Sequence, residues 1–349
     1  MYGVVIGKGY IRKLFGVNML NQDFVHLHVH SEYSLLDGLG SPAQYAERAA
    51  KLGFSSIAIT DHGNIDGHLK WQRACKNAGV KPIFGCELYV VEDVAKKEKG
   101  DQKFHMIVLV KNFEGWKALA RMLTVANLEG FYSKPRIDRK VLLDNVNDGL
   151  VILTGCSGSF LLMPNGVELL IELKKNRGVD CYLEVMPHGI NGQVKVNELC
   201  LALNRKYDLP LVATNDCHYV LAEHAKAQEV LLAVQRQAKW KDKDRWKFGF
   251  EGLHLRTADE MIAEFKIQGV LNRIQYYNAM SNALAVGEMC WGFEIPKREI
   301  SLPKVPGYPE DVDAFLIEKC LAQFKEIFGT DISEEFWNEF ERREAADQK

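Results

Sequence analysis

The chain has 349 residues, 47% of them hydrophobic, with 44 Lys and Arg against 46 Asp and Glu. That is enough for one large α/β domain or two ordinary ones, with a sizeable buried core. The near balance of charge excludes a general attraction to polyanions, so any contact with nucleic acid must come from a local patch.

The eight cysteines include no CxxC pair and fall mostly in apolar runs, where a reduced thiol packs as a small hydrophobe. This predicts a reducing, cytoplasmic setting. The longest uncharged apolar stretch, 149–167, holds Gly155, Ser157, Gly158, Pro164 and Asn165, which break a membrane helix, and no membrane association is expected. Residues 1–23 carry Lys8, Arg12 and Lys13 and lack the apolar run and cleavage site of a secretory signal, so they read as an N-terminal extension.

In chain order, short β-branched or apolar runs at 24–29, 56–60, 82–91, 105–110, 150–154, 181–186 and 210–214 are the candidate strands. Amphipathic stretches at 42–52, 65–78, 113–127 and 193–207 alternate with them, the pattern of βα units and a parallel sheet. Ser41 before Pro42 predicts a capped helix start. The charged segment 92–102 predicts a hairpin-like excursion. After Tyr219 the texture becomes helical, near 222–238, 257–265 and 274–288. Pro303, Pro306 and Pro309 mark a linker, followed by a polar helix over 311–346. The expected organisation is thus an extension (1–23), a main domain (24–300) and a linker with a terminal helix (301–349).

Chemistry concentrates at strand ends. In a strand over 24–30, alternation puts His26, His28 and His30 on one face and Val25, Leu27 and Val29 on the other. One histidine is more often a satisfied core residue, but three in register are hard to satisfy without metal or carboxylates. The second run ends in Asp61 and His62. Glu87 stands inside an otherwise apolar strand, where a nearby cation is the economical explanation of a buried carboxylate. Cys156 closes the fifth run, Asp216 and His218 follow the seventh, and Asp37 lies just past the first. Mixed nitrogen, oxygen and sulfur donors suit Zn, Mn or Fe better than Mg or Ca. His105 opens its run instead of closing it; pairing the Glu87 and His105 runs as a hairpin would bring the two together.

The segments FVHLHVHSEYSLLDG (24–38), ITDHGN (59–64), GVKPIFGCE (79–87), EGFYSKPRID (129–138) and VATNDCHY (212–219) resemble successive motifs of the PHP (polymerase and histidinol phosphatase) domain of bacterial DNA polymerase III alpha subunits, the replicative C-family polymerases. The resemblance runs from about 24 to 305. It implies an α/β fold, a distorted seven-stranded TIM-like barrel with extra C-terminal helices, and a centre of three divalent metal ions. Carried over by position, His28, His30 and Asp216 would hold one ion, Glu87 would bridge it to a second held by His105 and Cys156, and Asp37, His62 and His218 would hold the third. His26 and Asp61 would orient ligands by hydrogen bonds.

The implied function is metal-dependent phosphoester hydrolysis of the 3′–5′ exonuclease, proofreading type, with metal-bound hydroxide attacking phosphorus. The polymerase core is not in this sequence, which resembles only the approach to the palm after the linker, as expected either of a fragment or of one piece of a replicase encoded in separate parts. Expected partners are DNA at a single-stranded 3′ end and a separately encoded polymerase core or other replisome subunits. The competing readings are a non-catalytic module that stabilises or recruits such a polymerase, and a phosphatase of the histidinol phosphate type. Lys134, Arg136 and, with less weight, His188 are candidate substrate contacts. Residues 236–247 interleave six basic side chains with Trp240 and Trp246; the favoured reading is a solvated surface with the two Trp anchoring a loop.

Overall fold

The computed structural model describes residues 24–297, 311–329 and 333–347. The extension 1–23 and the proline-rich linker lie outside the described residues. The chain divides into two units, 1–295 and 296–349.

The first unit is built on seven strands: β1 (Ser56–Ile59), β2 (Lys81–Val90), β3 (Phe104–Val110), β4 (Arg136–Ile137), β5 (Leu150–Leu153), β6 (Asp180–Val185) and β7 (Leu211–Ala213). The ladder runs β1-β2-β3-β5-β6-β7, with the short β4 beside β2. All pairings are parallel except the two made by β3, which runs antiparallel to β2 and to β5. The sheet is therefore mixed, not parallel. The cause is the charged connection at 92–102: a parallel neighbour needs a long crossover, whereas a short, mostly charged loop simply returns the chain alongside itself.

Residues 24–30 do not form a regular strand, yet they carry a strand's hydrogen bonds. Ala58 and Thr60 donate their amides to the carbonyls of His26 and Val29, while on the other side Cys217 donates to His28 and His30 to Cys217, at 2.7–3.0 Å. The two ends of the curled ladder thus meet across this segment and close the barrel. Its apolar residues Val25, Leu27 and Val29 are buried, as are all of β1 and β5, as expected of strands covered on both faces.

Helices α1 (Pro42–Lys51), α2 (His68–Ala78), α3 (Phe113–Leu128), α4 (Arg139–Asn145), α5 (Gly166–Arg177) and α6 (Asn191–Tyr207) follow the strands, and α7 (Ala225–Gln235), α8 (Ala258–Gln268) and α9 (Arg273–Cys290) complete the unit. Ser41 caps α1 in a reciprocal box with Gln44, and Thr257 with Glu260 and Asn272 with Gln275 cap α8 and α9 in the same way. In the second unit the polar run forms two helices, not one: α10 (Val312–Phe328) and α11 (Glu334–Asp347). Gly329, at φ +68°, ends α10 in the left-handed conformation that a glycine adopts without strain. Among the described residues, no helix is long and apolar enough to cross a membrane.

His68, buried at the start of α2, places Nε2 2.9 Å from the Gly85 carbonyl, and burial pulls its pKa down to about 4. His26 and His188 are likewise held near 4, chiefly by burial. These values lie below the unfolded one, so acid protonates the unfolded chain first. Stability is complete above pH 6.5 and falls towards pH 4, by up to about 1.4 kcal/mol per pH unit for each group. In chelator, the urea midpoint of His68→Gln should decline less steeply over that window than that of the parent. Parallel curves would show that His68 does not contribute.

Candidate metal centre

His28 and His30 lie between β1 and the chain after β7, and their inner nitrogens are set by their outer ones. His28 Nδ1 donates to Glu184 Oε1 at 2.8 Å. His30 Nδ1 lies 2.9 Å from Ser34 Oγ, whose only proton goes to Asp61 Oδ1 at 2.7 Å, so the imidazole is the donor. In their neutral forms both rings therefore present the Nε2 lone pair inward. The two Nε2 atoms stand 3.0 Å apart, each 3.2 Å from Asp216 Oδ1. Three electron-rich atoms at this spacing need a proton or a cation between them. Burial opposes charge on His28, but Asp216, Glu184 and Glu87 outweigh it and push its pKa up to about 9, while burial takes His30 down to about 3.

The other donors arrive from separate elements. Glu87 is fully buried in β2 with His105 Nδ1 2.7 Å from Oε1 and His62 Nδ1 in close contact with Oε2. Cys156 Sγ lies 3.6 Å from His105 Nδ1. The antiparallel register explains His105: it pairs with Tyr89, so the beginning of β3 reaches the rim where the parallel strands end. Gly155, at φ +85°, allows the close approach of Cys156, because a Cβ there would fall 2.4 Å from the His105 carbonyl oxygen. His62 Nε2 is 3.3 Å from Asp37 Oδ2, and His218 Nε2 is 3.6 Å from Asp37 Oδ1. His218 Nδ1 donates to the Asp216 carbonyl at 2.9 Å, turning Nε2 inward as well. Asp216 itself sits at φ +51°, a left-handed geometry that asparagine and aspartate tolerate better than other side chains and that marks functional turns.

All nine candidate ligands thus converge. Three groupings have ligand atoms within 4.8 Å of one another: His28, His30 and Asp216; Glu87, His105 and Cys156; and His30, His62 and His218. The third brings His30 to the histidines that sequence pairs with Asp37. The donor set fits divalent cations on a further ground. Both oxygens of Glu87, Oδ1 of Asp216 and Nδ1 of His62 are buried without a hydrogen-bond partner, although nitrogen and oxygen approach closely. These contacts are short but not aligned for a shared proton, as ligands around a common ion would be. Burial resists ionisation of Glu87 and Asp216. The imidazoles beside them, His105 and His62 for Glu87, His28 and His218 for Asp216, nevertheless hold both well below the usual carboxylate range.

Asp61 stands where expected, accepting the amide and hydroxyl of Ser31 and the hydroxyl of Ser34, and so it orients His30 through one intervening serine. His26 does not orient any ligand. Its ring bonds the Arg256 carbonyl (2.8 Å) and the Cys217 thiol (3.4 Å), because two residues displace a side chain by about 7 Å along extended chain. Arg136 is a clearer correction. It is fully buried, and its guanidinium is spent on the carbonyls of Gly130, Lys96 and Val94 and on Asp101, leaving nothing for substrate. Lys134 does stand near the mouth, 5.5 Å over the ring of Tyr89, which stacks 5.8 Å from His62. His188 is buried, with Nε2 3.1 Å from Asn215 Oδ1.

The residue missed from sequence is Glu184. Fully buried in β6, it accepts from His28, from the Gly155 amide (2.7 Å) and from the Thr214 hydroxyl (2.6 Å). A carboxylate in an apolar strand is the same signal that marks Glu87. Glu184→Gln sets an amide NH2 among three donors and loosens the His28 tautomer; the affinity for the most tightly held metal should fall roughly 10- to 100-fold, read by competition with a chelator.

Barrel, rim and donor set define the class. Residues 26–188 match the model of the PHP domain. More particularly, it is a relative of bacterial DNA polymerase III alpha subunits: 36% identical to that of Borreliella burgdorferi over 78% of this chain, 35% to that of Treponema pallidum over 82%, and 34% to that of Thermus aquaticus over 82%. The chain spans about a quarter of the length of these curated relatives, 24% in each case. Among solved structures, a Bifidobacterium adolescentis protein described as a metal-dependent phosphoesterase is 16% identical, with a TM-score of 0.39, over 72% of this chain and 97% of that one.

Proposed function

We propose that this chain is a metal-dependent phosphoesterase that removes nucleotides from the 3′ end of a strand, as a proofreading element in a bacterial-type replicase. The observation that carries the reading is the inward set of imidazole nitrogens and buried carboxylates, His28, His30, Glu87 and Asp216, crowded together with both Glu87 oxygens and Asp216 Oδ1 left without a hydrogen-bond partner. The relation to DNA polymerase III alpha subunits supports the replicative setting.

In this reading His28, His30, Asp37, His62, Glu87, His105, Cys156, Asp216 and His218 hold three divalent ions, of zinc, manganese or iron. Bound there, the ions supply an activated water and neutralise charge developing on the phosphoryl oxygens. The chain's own contribution is to hold the donors in place before substrate arrives. Glu184 keeps the Nδ1 proton on His28, and Ser34 with Asp61 keeps it on His30, so the basic nitrogens stay pointed at the centre. Lys134 at the rim brings positive charge to the strand's phosphates. The test is elemental analysis of the purified chain together with nucleotide release from a 3′-recessed duplex and turnover of histidinol phosphate. Metal with nucleotide release is expected. Metal without turnover of either substrate would leave the structural role, and turnover of histidinol phosphate alone would make the chain a small-molecule phosphatase.

A further inference from the structure

The two tryptophans of the basic segment do not anchor it: Trp240 and Trp246 each keep 46% of their area exposed. The anchoring is done by the phenylalanines that follow. Phe250 lies 4.6 Å from the ring of His188, and Phe248 meets His218 edge-on at 5.3 Å. Trp246 then packs 5.0 Å from Phe248. Aromatic surface thus leads without a break from a donor of the metal centre to solvent. Phe248 and Phe250 also line a cavity of about 360 Å³ shared with Lys226, Gln228 and Lys247. Gln228 bonds the carbonyl of Asp37 at 3.2 Å, which places this cavity beside the centre. The guanidinium of Arg236 lies 4.8 Å over Trp246, and Lys247 stands 3.8 Å from Glu229.

A large ring half in water, flanked by cations and continuous with a phosphate-handling centre, suits one kind of ligand. Unpaired bases stack on exposed aromatic side chains while neighbouring basic groups follow the backbone, and the stacking tolerates any base because each has a π face. We propose that Phe248 and Trp246 receive an unpaired nucleobase, so that the phosphate joined to it falls at the metal centre. The substrate is then the free end of a nucleic-acid strand and not a small phosphomonoester without a base. This inference rests on the phosphoesterase reading and adds to it the part of the substrate that the chain grips.

The direct test is equilibrium binding to the full chain. Intrinsic tryptophan fluorescence is titrated with an oligothymidylate and with a base-free deoxyribose phosphate oligomer of the same length. Quenching by the first and not the second is expected, and Trp246→Ala should abolish it although the other tryptophans remain. Phe248→Leu should weaken oligothymidylate binding roughly 10- to 100-fold with metal content retained, while Trp240→Ala, whose ring packs on Arg245, should bind as the parent does. Equal affinity for the two oligomers, or equal losses for both in the Trp246 variant, would overturn the stacking wall. Hydrolysis is scored separately. Base-selective binding without any hydrolysis would refute the phosphoesterase reading and leave the wall, whereas hydrolysis that ignores the base would do the reverse.

Discussion

Alanine at His62 or at Asp216 should lower metal-dependent phosphoester hydrolysis by roughly a thousandfold or more, because each removes a donor that belongs to one grouping and touches a residue of another, His62 facing Glu87 and Asp216 facing His218. His62 faces Glu87 with one nitrogen and Asp37 with the other. Its loss leaves a buried carboxylate with one imidazole neighbour fewer on either side. Asp216 is the common neighbour of His28 and His30, and alanine there also relaxes the left-handed turn that aims the carboxylate. Metal content, measured on the same preparations, should fall with activity, and circular dichroism should show the barrel retained. Full hydrolysis by both variants would place the activity outside this centre.

Arg136→Met should destabilise the first unit by about 3 to 5 kcal/mol, the range for breaking a buried ionic and hydrogen-bonded cluster by removing one member. The guanidinium ties the 92–102 connection to the chain before β4: Nη1 and Nη2 hold the carbonyls of Lys96 and Val94, Nε holds Gly130, and the ring of Tyr132 lies 5.4 Å from the guanidinium carbon. Methionine fills much of the volume and leaves three carbonyls without donors. Lysine cannot replace a planar fork that serves three directions, so Arg136→Lys should also lose most of this stability. The urea midpoint reads the effect. At a temperature where the variant remains folded, the apparent KM should match the parent's; a raised KM at unchanged midpoint would restore Arg136 to the substrate site.

What the sequence by itself determined follows from periodicity and from the price of burying polar groups. Alternation over 24–30 put His28 and His30 on one side of the chain. Donors placed where apolar runs end, at His62, Cys156, Asp216 and His218, lie at one rim because parallel strands end together. The exception, His105, was resolved by pairing its run with that of Glu87, and the register of β2 and β3 makes that pair. The alternation of strands and helices predicted a parallel sheet, and β3, antiparallel to both its neighbours, departs from it.

Only the tertiary structure decided what faces each side chain, since the partners come from far along the chain and leave no local pattern. Glu184 stands 156 positions from His28. His26 shares the phase of its two neighbours yet sits one step too far along to reach the centre, which alternation cannot express. Arg136, which opens β4, read from sequence as a contact for phosphate. The fold instead surrounds it with carbonyl oxygens that need its donors, because a buried backbone oxygen takes whatever donor the packing brings to it. The exposure of Trp246 was decided in the same way. An aromatic side chain has a strong preference for burial, but Phe248 and Phe250 fill the space beside His218 and His188, and the tryptophan is left at the surface.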